Sequence, residues 1–187
     1  MAVKQLHPLF VAELTGIDLA AGIDAQTQAE IERTMDRYAV TVLPNQNLDD
    51  EKQTAFAALY GPLEVSPPVH SRNGGPAAQA RIRNANIFDV SNLDESGKIL
   101  DLDDQRRAYR QGNELWHTDS SFRQKSATWS MLHGRVVPPS GANTEFVDTR
   151  AAYDALPETM KTRRECQIEC SATRPSSRVF MISGSAS

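Results

Sequence analysis

The chain has 187 residues, of which 40% are hydrophobic and 24% are charged, so it is long enough for one globular domain with its own core. Its formal net charge of −4 gives no reason to expect nucleic acid or an anionic membrane as a partner, and no apolar run is long enough to cross a bilayer. Residues 1–7 lack the layout of a secretion signal, and two cysteines do not make a disulfide framework, so we expect a cytoplasmic location.

The first part of the chain predicts a strand followed by a helix. Apolar residues alternate over residues 10–19, which is typical of a strand or of a hairpin that turns at Thr15-Gly16. The helix is expected to begin near Asp24 or Thr27. Glu30 lies three residues after Thr27, which is the spacing of a capping box.

A second strand and a second helix follow. The short run at residues 39–43 is rich in β-branched side chains and predicts a buried strand. Asp49 or Asp50 is expected to cap the next helix, with Gln53 in position to complete a capping box. Gly61-Pro62 should end this helix.

The middle of the chain is poor in regular patterns. Residues 62–80 contain several prolines and glycines and predict a loop. Residues 81–90 predict a strand, and residues 93–111 are charged and rich in turn formers. We interpret this last stretch as a solvated loop, with a lid over a site as the alternative.

The remaining elements are mostly short strands. Residues 115–122, 127–137 and 144–147 predict strands, a turn is expected at 138–141, and a helix is expected to begin at 150–156. Two early helices followed by short strands with turn signals favour an antiparallel β-sandwich or jelly roll with helical decoration over a doubly wound α/β fold.

The residues with the clearest chemistry lie at 113–122. On a strand, His117 and Asp119 would point to the same face and present an imidazole nitrogen beside a carboxylate oxygen. These are two ligands of the facial triad of two histidines and one carboxylate that binds non-haem Fe(II). By itself the pair is also typical of an exposed polar strand.

Three stretches around this pair resemble a known family. They are Trp116-His117-Thr118-Asp119-Ser120-Ser121-Phe122, Gly141-Ala142-Asn143-Thr144-Glu145-Phe146 and Arg150-Ala151-Ala152-Tyr153-Asp154-Ala155-Leu156. Together they resemble the taurine/2,4-dichlorophenoxyacetate dioxygenase family over roughly residues 6–162. Leu6-His7-Pro8-Leu9-Phe10 and residues 56–63 also resemble the branch that opens phenoxyalkanoate herbicides. The resemblance implies a mainly β fold with helices, a double-stranded β-helix (jelly roll), with Fe(II) and the cosubstrate 2-oxoglutarate.

The resemblance also implies roles for individual residues. His117 and Asp119 match iron ligands, and Thr144 matches the threonine whose hydroxyl donates a hydrogen bond to 2-oxoglutarate. From the residues alone, Thr144 is better interpreted as an ordinary β-branched strand residue. Asn113 matches a position near the primary substrate, with a turn residue as the alternative. His70 lies near the region where the family contacts substrate, with a solvent-facing loop histidine as the alternative.

The last part of the chain departs from the family. The family needs a later histidine to complete the triad and a later arginine for 2-oxoglutarate, but no histidine follows His133, which we interpret as a partly buried strand residue. Residues 163–187 form an atypical tail rich in Ser, Thr, Arg and Pro. We therefore expect one partial domain over 1–187, a C-terminally truncated and incomplete jelly roll that binds iron poorly and turns over little substrate.

The implied activity is the O2-dependent hydroxylation of a small organic acid. A phenoxyalkanoate, cleaved at its ether bond, is the candidate substrate, but the fold does not decide the substrate. The alternative is a non-catalytic jelly-roll binding domain with His117 and Asp119 at its surface. A cupin-like metal site is a further alternative, and a homo-oligomer is left open.

Overall fold

Part of the chain is described by the computed structural model. The described residues are 1–65, 82–94, 96–104, 115–120, 123–124, 127–138, 140–141, 143–162 and, as backbone only, 178–183. The chain divides into two compact units, Met1–Leu48 with Asp119–Ser187, and Asp49–Thr118.

Within the described residues, the first unit contains one sheet and several helical segments, one of which covers residues 158–162. Its elements are β1 (Ala2–Gln5), β2 (Ala12–Thr15), a 3-10 turn (Leu19–Ala21), α1 (Ala25–Tyr38), β3 (Val40–Leu43), β4 (Trp129–Gly134), α3 (Thr149–Asp154) and β5 (Arg178–Ser183). The second unit contains α2 (Asp50–Ala58). None of the helices in the described ranges is long and apolar enough to cross a membrane.

The five strands form a mixed sheet in the order β1-β2-β3-β5-β4. β1 and β2 are antiparallel, and the other three pairings are parallel. The expected combination of a sheet with helices is thus present, but most of the strand pairings are parallel, where antiparallel pairings were expected. Residues 178–183, within the stretch that we expected to be an atypical tail, form β5, which lies between β3 and β4.

The core of the first unit lies between the sheet and α1. Leu14 of β2 and Leu43 of β3 are fully buried, as are Ile31 and Met35 of α1. Their spacing of four residues places Ile31 and Met35 on one face of the helix. The buried hydroxyl of Thr41 donates to the sulfur of Met35 at 3.0 Å, which gives this hydroxyl a partner.

The helix starts were predicted in part. Asp24 caps α1, with its carboxylate accepting from the amide of Thr27 at 2.7 Å, so the expected capping box led by Thr27 is wrong. Asp49 caps α2 in the same way through the amide of Lys52 at 2.8 Å. In both cases the first aspartate of the helix start takes the cap, because its oxygen reaches a backbone amide that lacks a partner within the helix.

Several predicted strands were wrong. The strand of residues 10–19 is shorter, and its hairpin partner is β1, so the chain turns before β2 instead of at Thr15-Gly16. Residues 82–90 and 143–148 contain no strand within the described part. The described residues of 93–104 are irregular apart from one bridge between Leu93 and Ile99, as expected for a loop. Residues 127–137 do contain a strand, β4.

Candidate metal centre

His117 is the last but one residue of the second unit, and its imidazole is exposed. Its Nδ1 lies 2.7 Å from the carbonyl oxygen of Leu115. Because a carbonyl can only accept, Nδ1 must carry the proton in this contact. In the neutral ring the lone pair is then on Nε2, and such a second hydrogen bond at Nδ1 commonly orients a metal-binding histidine.

The segment that carries His117 is not a strand over the described residues 115–120, which corrects the expectation of a strand there. The described residues 115–120 are irregular, and Asp119 and Ser120 lie in a turn. The carbonyl of Ser120 accepts a hydrogen bond of 3.0 Å from the amide of Arg123. Ser120 has φ of 56°, in the left-handed region that extended chain cannot use. Asp and Ser favour such turns, and this local preference outweighs the apolar residues nearby.

Asp119 opens the second stretch of the first unit, and its side chain is exposed. The argument that strand periodicity aligns His117 with Asp119 therefore does not apply. The two donors are near each other because only Thr118 lies between them in the chain.

Thr144 lies in the first unit, in the irregular segment that ends at Asp148, and its side chain is exposed. The alternative that made Thr144 a strand residue is therefore wrong. Asp148 caps α3, with its carboxylate accepting from the amide of Arg150 at 3.0 Å.

Two other predicted site residues lie outside the described residues. These are Asn113 and His70, so their proximity to a substrate stays a prediction. Among the residues that are described, no group of three or more His, Cys, Asp and Glu side chains is placed to hold a metal ion. A complete three-ligand centre is thus not formed by the described side chains alone.

His133 is half-buried on β4, as its apolar surroundings in the sequence indicated. Burial lowers the pKa of its imidazole from the usual 6.5, and the charge of Arg135 lowers it further, against a smaller opposite effect of the Gln46 backbone. The Nε of Arg135 donates to Nδ1 of His133 at 3.4 Å. The neutral form of His133 is therefore favoured in the folded chain.

The sequence analysis missed one ion pair close to Thr144. The carboxylate of Asp148 is 8% exposed and faces the guanidinium of Arg150 at 3.0 Å. This pair lowers the pKa of Asp148 and raises that of Arg150. An aspartate directly before a predicted helix is a start signal, and this signal could have identified Asp148.

Comparisons with known proteins agree with the motifs. The chain is 43% identical over 165 residues to the alpha-ketoglutarate-dependent 2,4-dichlorophenoxyacetate dioxygenase of Cupriavidus pinatubonensis, covering 88% of this chain and 56% of the relative. It is 35% identical over 163 residues to the (S)-phenoxypropionate/alpha-ketoglutarate-dioxygenase of Sphingobium herbicidovorans, covering 87% and 50%. These relatives are enzymes by name, which does not favour a non-catalytic binding domain.

A solved structure is also similar. The crystal structure of AAD-2 in complex with Mn(II) and N-oxalylglycine matches with a TM-score of 0.72 at 37% identity, over 88% of this chain and 54% of that one. This chain thus spans about half the length of the relatives it matches. Residues 2–172 match the family described as "Taurine catabolism dioxygenase TauD, TfdA family". The chain therefore belongs to the TauD/TfdA family of dioxygenases.

Proposed function

We propose that this chain is part of an Fe(II)- and 2-oxoglutarate-dependent dioxygenase that hydroxylates a small organic acid. A phenoxyalkanoate is the substrate class that the relatives from Cupriavidus and Sphingobium support, since their names give 2,4-dichlorophenoxyacetate and (S)-phenoxypropionate. Hydroxylation of the carbon beside the ether oxygen gives a hemiacetal, which collapses to a phenol and an oxo acid.

The observation that carries the proposal is the hydrogen bond between Nδ1 of His117 and the carbonyl of Leu115. It selects the tautomer whose Nε2 can bind a metal, and it restricts rotation of the ring. The carboxylate of Asp119 adds a hard oxygen donor two residues further on. Imidazole with carboxylate suits Fe(II), so the donors present fit the metal that the family uses.

In this proposal His117 and Asp119 hold two positions on the iron. The iron supplies the oxidising chemistry when O2 and 2-oxoglutarate are bound. The chain's own contribution is to fix the cosubstrate, through the hydroxyl of Thr144, which donates to a carboxylate oxygen without adding a charge. Asn113 and His70 are proposed to lie near the primary substrate.

We propose the same partial-domain organisation that the motifs indicated. The whole chain would be one partial dioxygenase domain with an incomplete double-stranded β-helix, supported by the family match over residues 2–172 and by the mixed sheet. A cytoplasmic location is proposed with it. The chain alone is expected to bind iron weakly, since its described donors are fewer than three.

Metal binding tests the proposal directly. Titration of the purified protein with Mn(II), followed by electron paramagnetic resonance, should show binding that strengthens when 2-oxoglutarate is added. His117→Ala and Asp119→Ala should each weaken Mn(II) binding at least about tenfold, because the loss of even an outer-shell partner of a metal ligand typically costs that much. His7→Ala is the matched control, because it removes an exposed histidine from the loop between β1 and β2.

The outcomes separate the assignment from the family activity. Equal Mn(II) binding by the wild type and both ligand variants would refute the assignment of His117 and Asp119. Oxygen uptake that depends on 2-oxoglutarate should be slow for the 187-residue chain. Fast uptake would contradict the expectation that this chain is incomplete as a catalyst.

A further inference from the structure

We propose that Arg150 is a positioning residue for the 2-oxoglutarate site, because it holds the end of the segment that carries Thr144 against the C-terminal end of α1. This inference rests on the proposed function, in which the hydroxyl of Thr144 binds the cosubstrate. Arg150 acts through the backbone and does not itself touch the ligand.

The first observation is the forked ion pair of Arg150 with Asp148. Nε of Arg150 donates to Oδ1 of Asp148 at 3.0 Å, and a second guanidinium nitrogen donates to Oδ2 at 3.1 Å. Both carboxylate oxygens are thereby bound by one rigid planar group, which fixes direction as well as distance. Asp148 is nearly buried at 8% exposure, so solvent competes little for it.

The second observation is a contact with another element. The remaining guanidinium nitrogen of Arg150 donates to the backbone carbonyl of Asp36 at 3.3 Å. Asp36 lies in the last turn of α1, and the negative end of the helix dipole there attracts cations. Arg150 thus bridges the cap of α3 to the end of a helix in the core of the first unit.

The third observation is the position of Thr144 relative to this bridge. Residues 143–148 are described, and they contain neither helix nor strand. Thr144 lies four residues before Asp148, so the Cα atoms of the two residues can be at most about 14 Å apart. Holding Asp148 against α1 therefore restricts where the Thr144 hydroxyl can lie.

The same contacts commit most of the Arg150 guanidinium to the fold. Its Nε and both terminal nitrogens donate to Asp148 and Asp36, and its positive charge is already paired with the carboxylate of Asp148. A carboxylate of 2-oxoglutarate would have to share that charge with Asp148. Positioning is the function that leaves every described contact in place.

Equilibrium dialysis with radiolabelled 2-oxoglutarate, in the presence of Mn(II) and without turnover, tests the inference. Arg150→Met should weaken 2-oxoglutarate binding by about tenfold, the lower end of the loss usual when a group that orients a ligand is removed. Arg150→Lys keeps the charge but not the fork, and should fall between the wild type and Arg150→Met. Asp148→Asn keeps an acceptor for the helix cap but loses the ion pair, and should resemble Arg150→Met.

Arg37→Met is the matched control. It removes an exposed arginine from the last turn of α1, next to Asp36, and leaves the contact between Arg150 and Asp148 intact. It should therefore leave 2-oxoglutarate binding unchanged. Hydrogen exchange of the peptide that covers 143–154 gives a second readout. It should become faster in Arg150→Met than in Arg37→Met, while exchange in β2 and β3 stays the same.

The results distinguish this inference from the function on which it rests. If the wild type binds 2-oxoglutarate and Arg150→Met binds it equally well, the positioning role is refuted and the proposed function stands. If the wild type binds no 2-oxoglutarate, both the positioning role of Arg150 and the proposed function are refuted. If Arg150→Met only lowers the folded fraction, the dissociation constant of the remaining folded protein is unchanged, and this outcome also refutes the positioning role.

Discussion

The side-chain oxygen of Gln46 accepts a hydrogen bond of 2.9 Å from the backbone amide of Leu19, and this bond joins two stretches 27 residues apart. The amide nitrogen of Gln46 donates to the carbonyls of Ile17 and Pro44, each at 3.0 Å. Gln46 is 5% exposed, so water cannot readily take over these three bonds. One buried amide therefore ties the 3-10 turn to the end of β3.

Replacing this amide should destabilise the chain. Gln46→Ala is expected to cost about 2–4 kcal/mol in the free energy of unfolding, because buried backbone groups lose their partners. Gln46→Glu should also destabilise, since a carboxylate oxygen would face the carbonyls of Ile17 and Pro44. Urea unfolding measures both, with the exposed Gln26→Ala as control. A loss below about 0.5 kcal/mol for Gln46→Ala would contradict the structure.

Ala39 offers a stabilising change. It caps α1 in the left-handed conformation, with φ of 61°, and its amide donates to the carbonyl of Met35 at 2.8 Å. Glycine adopts this conformation without a Cβ clash but loses more entropy on folding, so Ala39→Gly should stabilise by about 0.5–1 kcal/mol. Ala39→Val should destabilise. A lower melting temperature for Ala39→Gly than for the wild type would contradict this.

The pair of Arg150 and Asp148 should contribute stability that depends on pH. The hydrogen bond from Arg150 holds the pKa of Asp148 below its usual value of 3.8. A lowered carboxyl pKa adds stability above the usual value, and this stability is lost as the pH falls through the folded-state pKa. Arg150→Met should cost about 1–2 kcal/mol at pH 7, a modest amount since Arg150 is 40% exposed, and less below pH 4.

The pH dependence of this loss is the informative measurement. Urea unfolding of the wild type and Arg150→Met at several pH values between neutral and acidic conditions should show the two stabilities converging. Arg33→Met is the comparison, because it removes an exposed pair with Glu30 on α1 and should cost less than about 0.5 kcal/mol. If the difference in the free energy of unfolding between the wild type and Arg150→Met stayed constant down to acidic pH, Arg150 would stabilise the chain without Asp148.

His133 should make the fold sensitive to mild acid. Its pKa is lowered in the folded chain by burial and by Arg135, so the unfolded chain binds the proton more tightly. Stability should therefore fall as the pH decreases from the usual histidine value of 6.5 toward the lower folded-state pKa. His133→Gln should lose less stability over this range than the wild type.

Arg135 provides the matched variant for this effect. Arg135→Gln removes the positive charge beside the imidazole and should raise the pKa of His133 without removing the histidine. Titration of the imidazole protons by NMR measures that pKa directly. A pKa that does not rise in Arg135→Gln would contradict the described contact.

The hydroxyl of Thr144 should contribute to cosubstrate binding. Thr144→Val keeps the shape of the side chain and removes the donor, so 2-oxoglutarate should bind roughly tenfold more weakly, as expected for a lost hydrogen bond to a charged group. Thr144→Ser keeps the hydroxyl and should bind within a few-fold of the wild type. Equal binding by Thr144→Val would remove Thr144 from the proposed site.

The sequence predicted elements best where one local signal dominated. Asp49, directly before a helical pattern, marked the start of α2, and the β-branched run marked β3. The strand prediction failed at residues 115–120, where Ser120 adopts a left-handed turn conformation instead of an extended one. Apolar alternation cannot indicate this, because the conformation of one turn residue is decided by local sterics and hydrogen bonds.

The candidate site was predicted by motif and not by geometry. His117, Asp119 and Thr144 were identified from their resemblance to the family, and their roles stay proposals. The contact between Arg150 and Asp36 could not have been predicted, because it joins residues that are 114 apart in the chain. Pattern within a single element carries no information about which distant carbonyl a guanidinium will meet.

The place of β5 between β3 and β4 has a consequence for biosynthesis. β3 pairs with β5 from Val40 to Leu43, and β4 pairs with the other edge of β5 along its full length. β3 leaves the ribosome long before residues 178–183. The edge of β3 that pairs with β5 therefore stays without that partner for roughly ten seconds at usual translation rates. Until then the unpaired edge of β3 is accessible to chaperones and to wrong strand pairings, so the yield of folded protein should depend on how fast residues 178–183 are made.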